Sequence, residues 1–401
     1  MHIVESSGYR DFEWAVKIHR LSLETMGLWP KYDKYNKNNL WLKLRVGIIL
    51  VLLIFVTNVP MIHAIIQVWG NMVLVIENLR SILPLLIASV KYVIMLWKQT
   101  VFLSIINMMM EDWMAFKFNT ERAVMIKQAQ TARIIMIIGY IIIIMTVLLL
   151  TISSSFGIQT VLAINFTDRR KFLPLFTYHF YDVNKSPQFE LTFFIQTISI
   201  LFATTIYMSV DILLALLVLH ICGQMENFRC QLVNLISCKK FNRTLNDIVM
   251  SHLRIIRFVD KIENTYSLMM LIMIFHFVIV FCLSGFLFTI FLIDREMDKV
   301  ITTKIYFLII MLFILLMNTF LYCGAGELIT EQCNAVYRTM CDLEWYKLES
   351  RKVKGFILLM IRMRHPLCIS AGKIIPLTMA TFCSILKTST GYISFLLTKR
   401  S

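Results

Sequence analysis

Five charged side chains interrupt apolar stretches of this 401-residue chain: Glu77, Arg80 and Lys91 in one stretch, Asp211 in a second and Lys387 in a third. An ionisable group in a membrane-length apolar segment must find a partner or water, which makes it a functional candidate by default. Glu77 and Arg80 lie three apart on one helical face and can neutralise each other, while Lys91 sits near an end from which it could snorkel. Asp211 reads as a hydrogen-bonding group within reach of water or of a loop. Lys387 lies midway along its stretch, where only protein or a water-filled path beside the helix would tolerate it. The spacings of catalysis are missing. The eight His, at 2, 19, 63, 179, 220, 252, 276 and 365, are scattered singly, none at metal-ligand spacing from another ligand. Cys222, Cys230 and Cys238 are too widely spaced for a thiolate metal site. No H-E-x-x-H, C-x-x-C, phosphate-binding glycine loop or G-x-S-x-G elbow occurs. The residues point away from an enzyme and name no cofactor or metal.

The elements that must carry these residues are membrane spans. The chain is 58% apolar and only 16% charged, well outside the composition of a soluble domain. Its apolar blocks reach the roughly 20 residues that cross a bilayer at 46–69, 72–97, 134–164, 191–219, 267–293, 305–326 and 374–398. The expected architecture is therefore all-α, with seven transmembrane helices. Placing the N-terminus inside assigns 28 Lys and Arg to the cytosolic segments and 9 to the outer ones, which gives an N-in, C-out topology. All nine Cys then lie in spans or on the reducing side, so no external disulfide is available. The net charge of +15 follows from the same asymmetry and from anionic inner-leaflet lipid, not from nucleic acid, for which no reader motif exists.

Two glycosylation sequons, at Asn165 and Asn184, fall in the expected outer loop between the third and fourth spans, with Pro187 weakening the second; a third, at Asn242, falls inside. No signal peptide precedes the first span, and Phe12, Val16, Leu21, Leu23 and Leu28 mark an amphipathic helix that Pro30 ends. Leu245, Ile248, Val249, Leu253, Ile256, Val259 and Ile262 recur at helical steps in a cytosolic loop, so an organised helical bundle should continue the spans inside the cell. The segments become a cytosolic N-terminal part (1–45), six spans with their loops (46–326), a cytosolic helical part (327–373) and a last helix (374–401). No internal repeat is visible, which argues against an inverted-repeat transporter.

The last third carries an ordered series: Cys323, Gly326-Glu327, Tyr337, Trp345-Tyr346, Pro366, Ser370 and Gly372, then Thr381-Phe382 and Leu386-Lys387. This series resembles the C-terminal region of insect odorant receptors. Asp211, His220, Gln224 and the N-terminal Gly27-Leu28-Trp29-Pro30 add to it, the latter with Trp14 and Arg20 looking most like receptors of Hymenoptera. Arg364-His365 ahead of Pro366, and Gly391 beside Tyr392, depart from the usual pattern. The resemblance implies a ligand-gated, non-selective cation channel subunit in the plasma membrane of an olfactory neuron dendrite. Its partner would be a shared co-receptor in a hetero-tetramer, and its ligand a small volatile or lipid-like molecule.

The same resemblance implies a pocket in the outer half of the subunit, a last helix that lines the pore, and cytosolic helices that join subunits. By depth and chemistry, the pocket candidates are Thr146, Leu150, Ser153 and Phe156 on the third span, Gln196, Ile200, Thr204 and Tyr207 on the fourth, and Tyr306 and Phe313 on the sixth. The gate would be an apolar ring among Phe395, Leu396 and Leu397, with Leu396 preferred and Lys387 deeper along the same path. Tyr337 and Trp345 are the anchor candidates. Against these stand a gustatory-type receptor, whose signature in the last helix is absent, a G-protein-coupled receptor of reversed topology, and a secondary transporter.

Overall fold

The computed structural model describes residues 2–30, 40–115, 118–155, 173–178, 181, 185–236, 240–293 and 299–398. The first helix, α1 (His2–Thr25), stops where Gly27 takes φ 71°. That left-handed turn lets the N–H groups of Leu28 and Trp29 reach back to the Leu23 carbonyl at 2.8 and 3.2 Å, closing the helix end as a glycine cap does. Phe12, Val16, Leu23, Leu28 and Trp29 are buried, while Leu21, expected on the same face, is 64% exposed.

Among the described residues, six helices are long and apolar enough to cross a membrane. They are α2 (Leu40–Gln67), α3 (Met72–Trp97), α5 (Asn119–Ser155), α6 (Gln188–Leu235), α7 (Phe241–Ile293) and α8 (Lys299–Asp342). A wider, π-type turn interrupts α2 over Leu52–Asn58, and the Asn71 side chain caps α3. Between α3 and α5 stands the short α4 (Gln99–Met114). The 48 residues of α6 and the 53 of α7 give lengths of about 70–80 Å at 1.5 Å per residue. A bilayer core takes about 30 Å of that. The surplus forms the bundle that the helical spacing of 245–262 anticipates, with Ile248, Val259 and Ile262 buried in it and Leu253 exposed.

After α8 come a single turn (Trp345–Lys347), α9 (Ser350–Met363), a minimal hairpin pairing Ser370–Ala371 with Ile375–Pro376, and α10 (Met379–Thr398). Gly372 (φ 63°) makes the hairpin turn and donates its N–H to the Ser267 carbonyl at 2.9 Å, which ties the entry of α10 to α7. Gly326 performs a similar service on α8, since a Cβ there would run into the Leu377 carbonyl. The seventh expected span corresponds to α10, a 20-residue helix outside the six. It packs on α7 and α8 through Phe382, Ile385, Leu386 and Ile393. At the centre of the molecule α6 is mostly buried from Ile206 to Phe228, with no residue there more than partly exposed.

Candidate ligand cavity and last helix

A cavity of about 190 Å³ lies between α3, α5, α6, α7 and α8, at the end of the bundle nearest the loop that contains Pro174, Leu175 and Phe176. Its wall is mostly aliphatic: Leu85, Ile142, Ile143, Ala203, Val280, Met311, Ile314 and Leu315. Arg80, Thr146, Thr204, Tyr207, His276, Ser284 and Asn318 add polar points to it. Pro84, in the middle of α3, also faces it. Having no N–H, Pro84 deprives the Arg80 carbonyl of its helical partner at the cavity wall. Thr146 and Thr204 donate their hydroxyls to Ile142 and Ile200 of their own helices, at 2.7 and 2.8 Å. The loop is held in place by Gln196, which accepts from the Leu175 N–H at 3.2 Å and donates to the Thr177 hydroxyl at 2.7 Å.

Tyr207 forms part of the floor, and its ring covers an ion pair. The Lys91 ammonium lies 3.8 Å from the ring centre and 2.5 Å from Asp211 Oδ1. The same ammonium reaches the Tyr322 hydroxyl at 3.3 Å, and that hydroxyl donates to Asp211. One buried cluster therefore joins α3, α6 and α8 directly under the cavity. Sequence spacing placed Lys91 near a helix end. In the fold its side chain is 2% exposed, because the partner that neutralises it stands 120 residues away on α6. Glu77 and Arg80 share a buried face of α3, where the Glu77 charge acts favourably on Arg80 and also on Lys304 of α8.

Five expected pocket residues line the cavity together: Thr146, Leu150, Ile200, Thr204 and Tyr207. Gln196 is buried beside it and braces the loop instead. Tyr306 and Phe313 do not belong to it; they are 65% and 61% exposed, on the outward face of α8. The inner face of that helix is offset from them and presents Phe307, Met311, Ile314, Leu315 and Asn318. The Ser153 side chain and all of Phe156, Asn165 and Asn184 lie outside the described residues. The sequence reading missed α7 as a wall, and with it His276 and Ser284. The available signal was two polar residues eight apart in an otherwise apolar span.

Comparison with known proteins now bears on the reading. The family model described as 7tm Odorant receptor matches residues 71–390. The chain belongs to this odorant receptor family. Odorant receptor 67a of Drosophila melanogaster is 24% identical over 234 residues, an alignment spanning 56% of this receptor and 55%, about half, of that relative. Among solved structures, the insect olfactory receptor OR5 from Machilis hrabei in complex with eugenol superposes with a TM-score of 0.80 at 16% identity, over 97% of this chain and 99% of that one. The same receptor without that ligand in its description gives 0.78 over equal coverage. The family consists of receptors, not enzymes.

Around the rest of the receptor, α10 turns an open face away from its own bundle. Ser384, Lys387, Thr388 and Gly391 recur at three and four residue steps on that face and are exposed, whereas Ser389 is fully buried. Phe395, Leu396 and Leu397 belong to the same helix, with side chains outside the described residues. On the opposite, loop-bundle side, Asp112 of α4 receives His220 Nε2 of α6 at 3.0 Å and Arg254 Nε of α7 at 2.6 Å. Burial pushes the Asp112 carboxyl up, but the hydrogen bonds and charges of His220 and Arg254 outweigh this and hold it below its ordinary value. Tyr337 and Trp345 pack partly on their own core; the apolar groups left open nearby are Tyr346 (66%), Leu358 (69%) and Ile361 (60%).

Proposed function

We propose that this odorant receptor is a ligand-gated, non-selective cation channel subunit, N-in and C-out, that works with a co-receptor in a hetero-tetramer. Its place would be the plasma membrane of the olfactory neuron dendrite. The observation that carries the reading is the intramembrane cavity, apolar with a few polar points and roofed by a loop, a shape suited to small hydrophobic molecules. The neighbouring receptor's description as a eugenol complex supports a ligand of that size. Occupancy would press on Tyr207 and, through the Lys91–Asp211–Tyr322 cluster, on α8, against which α10 packs. The open polar face of α10 would line the ion path, with Phe395, Leu396 or Leu397 closing it by dewetting near the outer end. The cytosolic helices, with Tyr337, Trp345 and the open face of α9, would hold subunits together, and Asn165 and Asn184 would be glycosylated outside. Current recording from cells expressing this chain with a co-receptor, against an odorant panel, tests the reading. Ligand-evoked cation currents are expected, reduced by Thr204→Leu or Tyr207→Ala; silence to every ligand at normal surface expression would refute it.

A further inference from the structure

Four polar side chains reach the cavity deeply buried and without a hydrogen-bond partner among the described residues: Arg80, His276, Ser284 and Asn318, at 7%, 3%, 3% and 6% exposure. Buried polar groups are nearly always paired, so a convergent set without partners marks the place of water or of a ligand. The aliphatic hydroxyls on α3, α5 and α6 behave differently. Ser81, Thr146 and Thr204 spend theirs on carbonyls of their own helices and ask nothing of an occupant.

The four are unequal. His276, Ser284 and Asn318 are satisfied by a hydroxyl, a carbonyl or water, whereas Arg80 carries a permanent charge. Its Nε is buried without a partner, and its guanidinium carbon lies 5.9 Å from the centre of the Phe307 ring. Glu77, one turn away and buried, lends Arg80 a favourable charge but divides it with Lys304 of α8, so two buried cations share one carboxylate. An aromatic face compensates a guanidinium only in part. A guanidinium without a hydrogen-bond partner and with only a shared counter-charge is costly inside a membrane protein, and the group that matches its planar fork is a carboxylate, held by two parallel charge-assisted hydrogen bonds.

We propose that the cavity selects small organic acids. The ligand's carboxylate pairs with Arg80, and its hydrocarbon body lies against Leu85, Ile200, Val280 and Met311. This assignment deepens the receptor reading and rests on it. It concerns acids arriving from outside the cell, as opposed to long-chain acids already dissolved in the bilayer.

The full-length chain, expressed with a co-receptor, is challenged with hexyl, octyl and decyl series of acids, aldehydes, alkanols and alkanes, at a pH where the acids are ionised. Hexadecanoic acid serves as the bilayer-borne source. In at least one series the acid should act at a concentration about ten to a hundred times lower than its alkanol, the margin of a charge-assisted pair. Arg80→Met should abolish that margin and Arg80→Lys, which keeps the charge but not the fork, should keep only part of it, with surface labelling establishing that both variants reach the membrane. Should Arg80→Met fail to reach it, Arg80→Gln takes its place. Acids no better than alkanols in the native chain overturn the assignment, and so does an acid margin that survives loss of the charge. A response to hexadecanoic acid alone, with the shorter acids silent, overturns it as well. Currents evoked by other odorants with every acid inactive would sink the acid assignment while leaving the receptor reading intact; silence to all ligands would sink both.

Discussion

Lys91 shows what a residue-level reading of the sequence could and could not reach. Its charge in a span was visible, and so was that of Asp211, but 120 residues separate two side chains 2.5 Å apart in the fold. Only the packing of α3 on α6 reveals that each is the other's solution. Removing one partner leaves an uncompensated buried charge, for which about 3–5 kcal/mol is the usual cost. Lys91→Met should therefore lower the thermal unfolding temperature of the detergent-purified receptor sharply, and adding Asp211→Leu should recover much of the loss. A double variant as unstable as the sum of its parts would show the two residues to be energetically independent. His19 offers a second test, outside the spans. Burial, aided by the Arg133 charge, lowers its pKa from 6.5 to about 4. The folded state then resists a proton that the unfolded state accepts, so its contribution is complete above pH 6.5 and shrinks as pH falls towards the folded value. Between about pH 7 and about pH 5 the native chain should lose about 2 kcal/mol from this group. Unfolding measured at the two values should show that loss, and His19→Gln should flatten it.

At the scale of elements, composition revealed far more than it did of the site. The charged and least obvious expected span, 72–97, is the helix α3 residue for residue, because Glu77, Arg80 and Lys91 are all accommodated on its buried side. Hydropathy could not give the phase of a helix inside a uniformly apolar stretch. Tyr306 and Phe313 of α8 were accordingly assigned to a wall that Phe307 and Met311 supply. Two elements invite direct tests. The Gly326 position admits no side chain because the backbone at Leu377, just before α10, passes against it. Gly326→Val should part α8 from α10 and abolish ligand-evoked current more severely than it lowers surface expression, whereas normal currents would show that this contact is not part of the coupling. On α9, Phe356, Leu359 and Met363 face the core while Leu358 and Ile361 face outward. An amphipathic helix with apolar groups on its outer side needs a cover. Leu358→Asp with Ile361→Asp should reduce co-purification with the co-receptor more than Tyr337→Ala or Trp345→Ala does, since the latter two already pack on their own chain.

For the whole molecule, orientation and ion path are linked, because the outer end of α10 is external only if the N-terminus is internal. The basic-residue asymmetry is the ground on which we propose that orientation, and glycosylation tests it: the endoglycosidase shift should disappear in Asn165→Gln with Asn184→Gln and persist in Asn242→Gln. A shift that depends on Asn242 would invert the molecule and move the gate to the other face. In the proposed orientation, the exposed row of Ser384, Lys387, Thr388 and Gly391, with Thr390 and Ser394 exposed beside it, is a polar face of α10, which in an assembly around a common axis would meet water by turning inward. Lys387 tolerates its mid-helix position on those terms, since an ammonium facing lipid at that depth would cost about 3 kcal/mol on insertion scales. An apolar ring beyond it, near Thr398, would then interrupt the water column while ligand is absent. Leu396→Ser should ease wetting there and raise the ligand-free current, diluted by however many co-receptor subunits share the ring. Cysteine placed in turn at Phe395, Leu396 and Leu397 should make resting or evoked current sensitive to externally applied thiol reagents at one position at least. Insensitivity at all three, in receptors that reach the surface and still respond to ligand, would remove the gate from this segment and leave the polar row of α10 without a conducting role.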